Sequence, residues 1–457
     1  MREPFVVQRL SGWGRSSWES SHVYRPEQRA ALARLLASGQ EPHYIPRGLG
    51  RSYGDASLNR DGGVLSFLRL NRFLAFDPET GILECEAGVS LGEILDVFLP
   101  RGFFPPVTPG TRHVTVGGAI AADVHGKNHH RDGAFARFVL DMRLLTPAGE
   151  VLTCSPETER EVFWATAGGM GLTGLILSAR LRLRKVETAY VRVDYVRTRS
   201  LDETLAALAA NDERYPYSVA WLDGLAGGRS LGRGVLMRGH HATRQELPSR
   251  IRDPLALPGR ACFAVPFDFP ACALNRLSVG AFNTLYYLRH GAAAGVLVDC
   301  ERFFYPLDGV RDWNRLYGRR GFVQYQFVLP PETSAVGLSE VLTRCAAAGR
   351  PPFLAVLKGF GEADPGPLSF PCRGYTLALD LPAAKGLPGL LEELDGSVLR
   401  HRGRLYLAKD SALDADTFAA MYPQAGEFRA VKARLDPKQV LSSNLARRIG
   451  LARGAAP

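Results

Sequence analysis

Apolar positions along the chain recur with two periods, one helical and one alternating, and they divide it into short elements of mixed type. Over Pro26–Leu36, alanines and leucines fall at helical spacing with proline in the first turn, which predicts a surface helix. Leu65–Phe76 and Gly81–Ala87 read as strands on either side of an Asp77-Pro78-Glu79-Thr80 turn, and Ser90 is placed to cap a helix over Leu91–Leu99. Val139–Thr146 and Val151–Leu152 flank Pro147-Ala148-Gly149 as a hairpin, Glu159–Thr166 opens a helix, and Leu175–Leu183 is a strand. From Tyr190 the character changes: the leucine-rich helical stretch Leu201–Leu208 alternates with aromatic-rich strands at Tyr215–Leu222 and Gly321–Leu329. Arg250–Cys262 and Arg311–Gly321 are turn-rich and read as mobile covers. Gly403–Ser411 is strand-like with Lys409 near its end, ahead of a helix over Asp414–Met421 and a helix stop at Asp436-Pro437. The organisation is α+β, and 457 residues exceed what one growing core accommodates, so two domains are expected.

Composition narrows the partners. A charged content of 22% and a hydrophobic content of 46% describe an ordinary globular chain. The formal net charge of +10 is carried mostly by arginine, whose planar fork suits phosphate groups, so an anionic partner is expected. Nucleic acid is a poor candidate, because the chain has no basic run of five or more, no zinc-finger spacing and no helix-turn-helix signal. No signal peptide is readable at the N-terminus and no apolar run reaches eighteen residues, so a cytoplasmic protein, or one peripheral on the inner membrane, is expected. Seven cysteines without a CxxC pair read as small buried hydrophobes. His125, His129 and His130 lack a nearby cysteine ligand or HExxH motif, so no metal is expected.

Three glycine-rich stretches interrupt the periodic pattern. The first, Pro46-Arg47-Gly48-Leu49-Gly50-Arg51-Ser52-Tyr53-Gly54-Asp55, could wrap phosphate oxygens with backbone donors while its guanidinium groups neutralise charge. It lacks the Lys-Ser/Thr pair of a nucleoside-triphosphate loop and departs from GxGxxG. The second runs from Pro109 to His130 and holds Gly117-Gly118, whose N–H groups could face an anion, close to the polar cluster His125-Gly126-Lys127-Asn128-His129-His130. The third is Gly168-Gly169-Met170-Gly171-Leu172-Thr173-Gly174. Taken singly, each glycine cluster is equally an ordinary turn.

Together with the C-terminal Tyr406-Leu407-Ala408-Lys409-Asp410-Ser411, these stretches resemble the FAD-linked oxidoreductases of the vanillyl-alcohol-oxidase fold. Within that group, the segments Val124–His130, Phe303–Asp308 and Phe322–Phe327 resemble the decaprenylphosphoryl-β-D-ribose 2′-oxidase family, from Gly12 to about Arg448. The resemblance implies a PCMH-type FAD-binding fold split between residues 1–188 and a returning segment 404–457, with a mixed α/β substrate domain inserted at 189–403. It implies non-covalent FAD, since Arg51 stands where covalent flavoproteins often carry histidine. The implied cofactor contacts are Arg47, Gly48, Leu49, Gly50, Arg51, Ser52, Tyr53, Gly54, Gly110, Thr115, Val116, Gly117, Gly118, Ala122, Asp123, His125, Ile176 and Tyr406.

The resemblance further implies oxidation of the ribose 2′-hydroxyl of a polyprenyl-phosphoribose to the keto sugar, the first half of an epimerisation. Lys409, His125 and Tyr53 are the implied catalytic set, with Lys409 on the hydroxyl; Lys127, Tyr305, Gln324, Gln326, Lys358, Thr376 and Ala378 are the implied substrate contacts. Sequence does not choose between the lysines as base, and the alternative reading of Lys358 is a snorkelling surface residue. The implied partners are a lipid-linked phosphosugar, a short-chain keto-sugar reductase and a quinone, with peripheral membrane contact through the two turn-rich segments. Mycobacterial members carry asparagine and cysteine where this chain has Thr376 and Ala378, so capture by cysteine-directed electrophiles should be lost. An aldonolactone or alditol oxidase, and a non-catalytic flavin or sugar-phosphate scaffold, are the competing readings.

Overall fold

The computed structural model describes residues 3–210, 214–259, 263–270 and 273–452. Cys262, Cys272 and the end of the Arg250–Cys262 segment lie outside the described residues.

Three main sheets organise the chain. The first sets Val6–Ser11 antiparallel to Trp18–Tyr24, which continues in parallel with Gly63–Ser66 and then Tyr44–Arg47. The second is antiparallel, in the order Phe73–Asp77, Ile82–Glu86, Leu175–Arg182, Val139–Leu145, Val151–Cys154. The third has eight antiparallel strands, ordered Ala293–Asp299, Tyr190–Thr198, Gly234–His241, Tyr217–Leu222, Ala355–Phe360, Gly374–Pro382, Phe322–Leu329 and Arg404–Leu405. One continuous cluster of buried apolar side chains runs through all three sheets.

The C-terminal segment returns to the first sheet. Tyr44 N–H donates to Val440 O at 2.8 Å, Ser442 N–H to Tyr44 O at 3.0 Å and Asn444 N–H to Leu58 O at 2.9 Å. Asp436 is part of the anchor: its carboxylate is buried with Lys432 at 2.8 Å and accepts the N–H groups of Val440 and Leu441. Removing either charge would leave the other buried without its counter-charge. Among the described residues, no helix is long and apolar enough to cross a membrane.

Several boundaries differ from the sequence pattern. Leu65–Phe76 is not one strand: a turn closed by Leu70 N–H to Phe67 O separates Gly63–Ser66 in the first sheet from Phe73–Asp77 in the second. The first helix spans Arg29–Ser38, buries Leu32, Leu35 and Leu36, and ends on Gly39 in the left-handed conformation that stops a helix. Helix Leu91–Phe98 has the expected start, a reciprocal capping box of Ser90 and Glu93. Arg311–Gly321 is no loose cover, because Trp313 and Tyr317 are buried and Tyr317 stacks on Phe322 at 4.0 Å between ring centroids. Only Arg404–Leu405 of Gly403–Ser411 is a strand; the chain then turns, with Lys409 N–H bonded to Tyr406 O.

Candidate active site

A cavity of about 1320 Å³ runs from the arginine loop and the His113–Lys127 segment to the face of the eight-stranded sheet. That exceeds the several hundred Å³ typical of one small ligand and leaves room for a dinucleotide and a substrate together.

At the loop end, the chain supplies donors without partners. Gly48, Leu49, Gly50, Arg51 and Ser52 line the cavity, and their N–H groups donate to no acceptor among the described residues, whereas Tyr53 N–H is taken by Ala408 O at 3.0 Å. Such a run of unpaired donors suits a diphosphate. The arginines contribute less than their sequence position suggests. Arg47 is spent on Ser11 O, Ser57 O and Ser57 Oγ, and burial lowers its pKa to about 10; Arg51 stacks 4.0 Å over Trp13 and donates to Leu49 O.

The Gly117-Gly118 pair also departs from expectation. Gly117 N–H donates to Ala87 O at 2.8 Å and Gly118 N–H to Thr115 Oγ1 at 3.2 Å, so neither is free for an anion. Close packing explains the small residues better: a Cβ on Gly48 would fall 2.3 Å from Thr115 Oγ1. Gly48 lets the two loops meet, Gly117 packs instead on Ala87, and the unpaired donors belong to the first loop.

At the sheet end, three neighbouring strands present every second residue to the cavity. Gln324 pairs with Asp380, Gln326 with Ala378 and Lys358 with Thr376 across the ladder, and Val356 pairs with Ala378. Thr376 donates to Phe327 O at 2.8 Å, so toward Gln326 it can only accept. This orients the Gln326 amide with Nε2 donating to Thr376 Oγ1 at 3.2 Å and to His125 Nε2 at 3.0 Å. His125 therefore holds its proton on Nδ1, which faces Lys358 Nζ at 3.2 Å. That contact is a hydrogen bond only if Lys358 is a neutral amine. Burial favours this state, pushing Lys358 down to about 8 and holding His125 well below its usual value, with the nearby Lys358 charge adding to the effect.

Two further lysines share the cavity. Lys409 Nζ sits 3.6 Å above the Tyr53 ring and is lowered to about 7 by burial, against the raising effect of Asp380. Lys127 donates to Phe303 O, lies 4.2 Å over the Phe303 ring and is lowered to about 7 by burial. None of the three makes a salt bridge among the described residues, and Asp380 is the one described carboxyl acting on any of them. Asp380 is itself pushed up to about 7 by burial, accepting from Gln324 Nε2 at 2.6 Å and Tyr317 OH at 3.3 Å. Tyr53 is held well above the usual phenol range, chiefly by burial, so its hydroxyl keeps its proton and the ring serves as a platform.

The lysines give the cofactor-free protein a distinctive pH dependence. Between pH 7.5 and 8.5 the unfolded chain, with lysines near their ordinary 10.5, binds more protons than the folded one, so stability should rise with pH. The expected melting temperature of the cofactor-free protein climbs across this window, and less so in Lys409→Met. A flat or falling curve would contradict the lowered lysines.

Comparison with known proteins matches residues 20–155 to the FAD binding domain model. The chain is 40% identical over 454 residues to decaprenylphosphoryl-β-D-ribose oxidase of Mycolicibacterium smegmatis, covering 98% of both chains. It belongs to the decaprenylphosphoryl-β-D-ribose oxidase family. An uncharacterised protein of Streptomyces coelicolor is also 40% identical over 376 residues, 79% of this chain and 100% of that one. Cytokinin dehydrogenase 2 of Arabidopsis thaliana matches only 35% of this chain, at 30% identity. As a member of the decaprenylphosphoryl-β-D-ribose oxidase family, the protein is an FAD-dependent oxidoreductase.

Most residues singled out from sequence line the cavity, but five sit behind its wall. Tyr305 is fully buried, hydrogen-bonded to Thr108, while its neighbours Phe303 and Phe304 face the cavity. Thr376 lies behind Gln326 as described, Gly54 packs on Asp410, and Val116 is core. Asp123 is buried with Ser369 Oγ on its carboxylate and pushed up to about 7 by burial and by Asp364. Tyr406 reaches back through its hydroxyl to Ala122 O at 2.7 Å.

Sequence reasoning missed Trp13, His113, Trp221, Phe282 and Tyr286 on the lining, and Asp380 beside it. Asp380 was within reach, standing two and four residues beyond Ala378 and Thr376 on the same strand face. Ala378 lines the cavity without a nucleophile. A cysteine-directed electrophile filling this site should leave the wild-type mass unchanged there and label Ala378→Cys; labelling of wild type within the cavity would refute this.

Proposed function

We propose that the protein oxidises the 2′-hydroxyl of a polyprenyl-phosphoribose to the 2′-keto sugar. The observation that carries the reading is the set of three partly buried lysines, without salt-bridge partners among the described residues, that continues from the unpaired N–H loop through one cavity. A dinucleotide and a phosphosugar are the anions that such a cavity accommodates together, and the decaprenylphosphoryl-β-D-ribose oxidase of M. smegmatis acts by name on a substrate of that kind.

Bound FAD supplies the acceptor for the hydride leaving the sugar carbon. Loop Gly48–Ser52 would hold the diphosphate, with Thr115 of the second loop packed on Gly48. Lys409 takes the hydroxyl proton as the C–H bond breaks, since an amine lowered to about 7 is available as a base near neutrality. His125, through Gln326 and Thr376, positions Lys358 in the cavity, and Lys127 provides charge for the phosphate. Arg51 engages Trp13 and cannot form a histidyl link, so FAD is dissociable, and acid precipitation should release all of the yellow chromophore.

The chain divides accordingly into an FAD-binding part at residues 1–188, a substrate part at 189–403 and a returning segment at 404–457; the separate sheets of the first two parts and the hydrogen bonds from Tyr44 to Val440 and from Asn444 to Leu58 support this, although Arg404–Leu405 still pairs with the eight-stranded sheet. A keto product calls for a short-chain reductase next in sequence, a quinone serves as reoxidant, and a lipid-linked substrate calls for peripheral membrane contact. Anaerobic mixing with a short-chain polyprenyl-phosphoribose should bleach the oxidised-flavin band and yield a keto sugar. Bleaching by simple alditols or aldonolactones instead would move the activity to another alcohol, and bleaching by neither would leave a binding protein.

A further inference from the structure

The helix Arg276–Arg289 is built inside out. Leu277, Leu285 and Leu288 are 85%, 67% and 62% exposed, while the face toward the protein buries Val279 and the polar Asn283. Asn283 donates through Nδ2 to Asp223 Oδ1 at 2.7 Å, so the helix orientation is fixed by a buried polar contact that points the leucines to solvent. Positions 277, 281, 285 and 288 form one stripe at helical spacing, and Phe282, half exposed, adjoins it. Soluble surfaces seldom carry so many large apolar side chains in one row without a partner.

The stripe is continuous with the cavity. Phe282, Tyr286 and Arg289 of the same helix line it, as does Val296 on the neighbouring strand. Exposed Phe263 flanks the mouth, because its strand pairs with Val310–Arg311, which also line the cavity. The surrounding charge is basic: Arg276 and Arg289 close the two ends of the helix, and between residues 254 and 298 the single acidic residue, Asp268, is paired with Arg15. A helix of 14 residues spans about 21 Å and is too short to cross a bilayer, yet an apolar stripe with terminal arginines suits the interface of an anionic one.

We propose that the Leu277, Leu285 and Leu288 stripe docks on an anionic lipid surface and sets the cavity mouth against the membrane. This rests on the reading of the substrate as lipid-linked. The arginines at both ends disfavour a second copy of the chain as the occupant, because like charges would meet.

The test uses the full chain with FAD bound, in co-sedimentation with phosphatidylglycerol and phosphatidylcholine vesicles. The variant is Leu277→Ser, Leu285→Ser, Leu288→Ser, whose side chains lie outside the cavity lining. Wild type should sediment with phosphatidylglycerol at low salt and weaken at high salt; the variant should bind at least about tenfold less, with unchanged melting temperature and flavin content. Wild type that fails to sediment, a variant that sediments equally, or a wild-type dimer that the variant dissociates in light scattering would overturn the proposal. Flavin bleaching by a water-soluble short-chain substrate should be equal in both proteins. Vesicle binding lost in the variant, with no bleaching in either protein, would retain the surface and remove the substrate reading.

Discussion

Lys409→Met should slow flavin reduction by about 10²–10⁴-fold, the usual contribution of a positioned base, and leave FAD bound. Methionine has a similar reach and its thioether packs well on an aromatic ring, so the platform formed by Tyr53 stays covered. What disappears is the one amine in the cavity with a carboxyl, Asp380, acting on it. The proton taken from the hydroxyl must go to a neutral amine, so the wild-type rate should rise with pH through the region near neutrality set by Lys409 and reach a plateau above it. Lys409→Met should lose that limb together with the rate. Lys358→Met should instead keep the limb, because Lys358 is tied to His125 Nδ1 and acts on geometry. The experiment is anaerobic rapid mixing over a pH series. A Lys409→Met enzyme within about tenfold of wild type that keeps the limb would transfer the base to Lys358.

The balance between these lysines shows which parts of the site were legible. The chain has seven lysines among its 56 basic residues, and three of them stand in one cavity. Their proximity to one another was readable only through the family resemblance, because they come from segments about 230 and 50 residues apart that only the tertiary fold brings to one cavity. Strand alternation predicts which neighbours share a face, and for that reason Gln324 with Gln326 was recoverable and Asp380 should have been. The hydrogen-bond chain from Thr376 to Lys358 was not recoverable, since it depends on how one hydroxyl is spent.

The glycine stretches were legible as close backbone approaches but not as to what approached. Paired glycines read equally well as an anion cradle or as loop packing, and only the hydrogen bonds separate the two: Gly117 and Gly118 spend their donors inside the protein, whereas Gly48–Ser52 do not. The Arg51 contact with Trp13 links residues 38 apart, a distance at which no local pattern operates. The mobile-cover reading of Arg311–Gly321 failed because turn composition says nothing about the aromatic stack that holds the segment down.

Gly54→Ala should be the most damaging small substitution in the arginine loop, beyond the roughly 0.5–3 kcal/mol of ordinary point changes. The ideal Cβ would lie 1.7 Å from Asp410 O and 3.2 Å from Ser411 Cα, and both contacts are backbone, so no side chain can rotate away. Relief requires the turn at Asp410 to separate from the loop. That turn carries Lys409, and Asp410 is tied to Arg448 Nη1 at 2.9 Å, while Nη2 of the same guanidinium binds Asp55 of the loop at 2.7 Å. One methyl group thus acts against the contact that joins the loop, Lys409 and the returning C-terminal segment. The matched control is Gly426→Ala, in the first turn of helix Ala425–Leu435 with nothing within 4 Å of its Cβ, which should stabilise by about 0.4–1 kcal/mol. Thermal melts with flavin content read out both. A Gly54→Ala protein that melts near wild type with full flavin would mean that the loop and the Lys409 turn are not docked as described, and the assignment of Lys409 to the reacting hydroxyl would lose its structural footing.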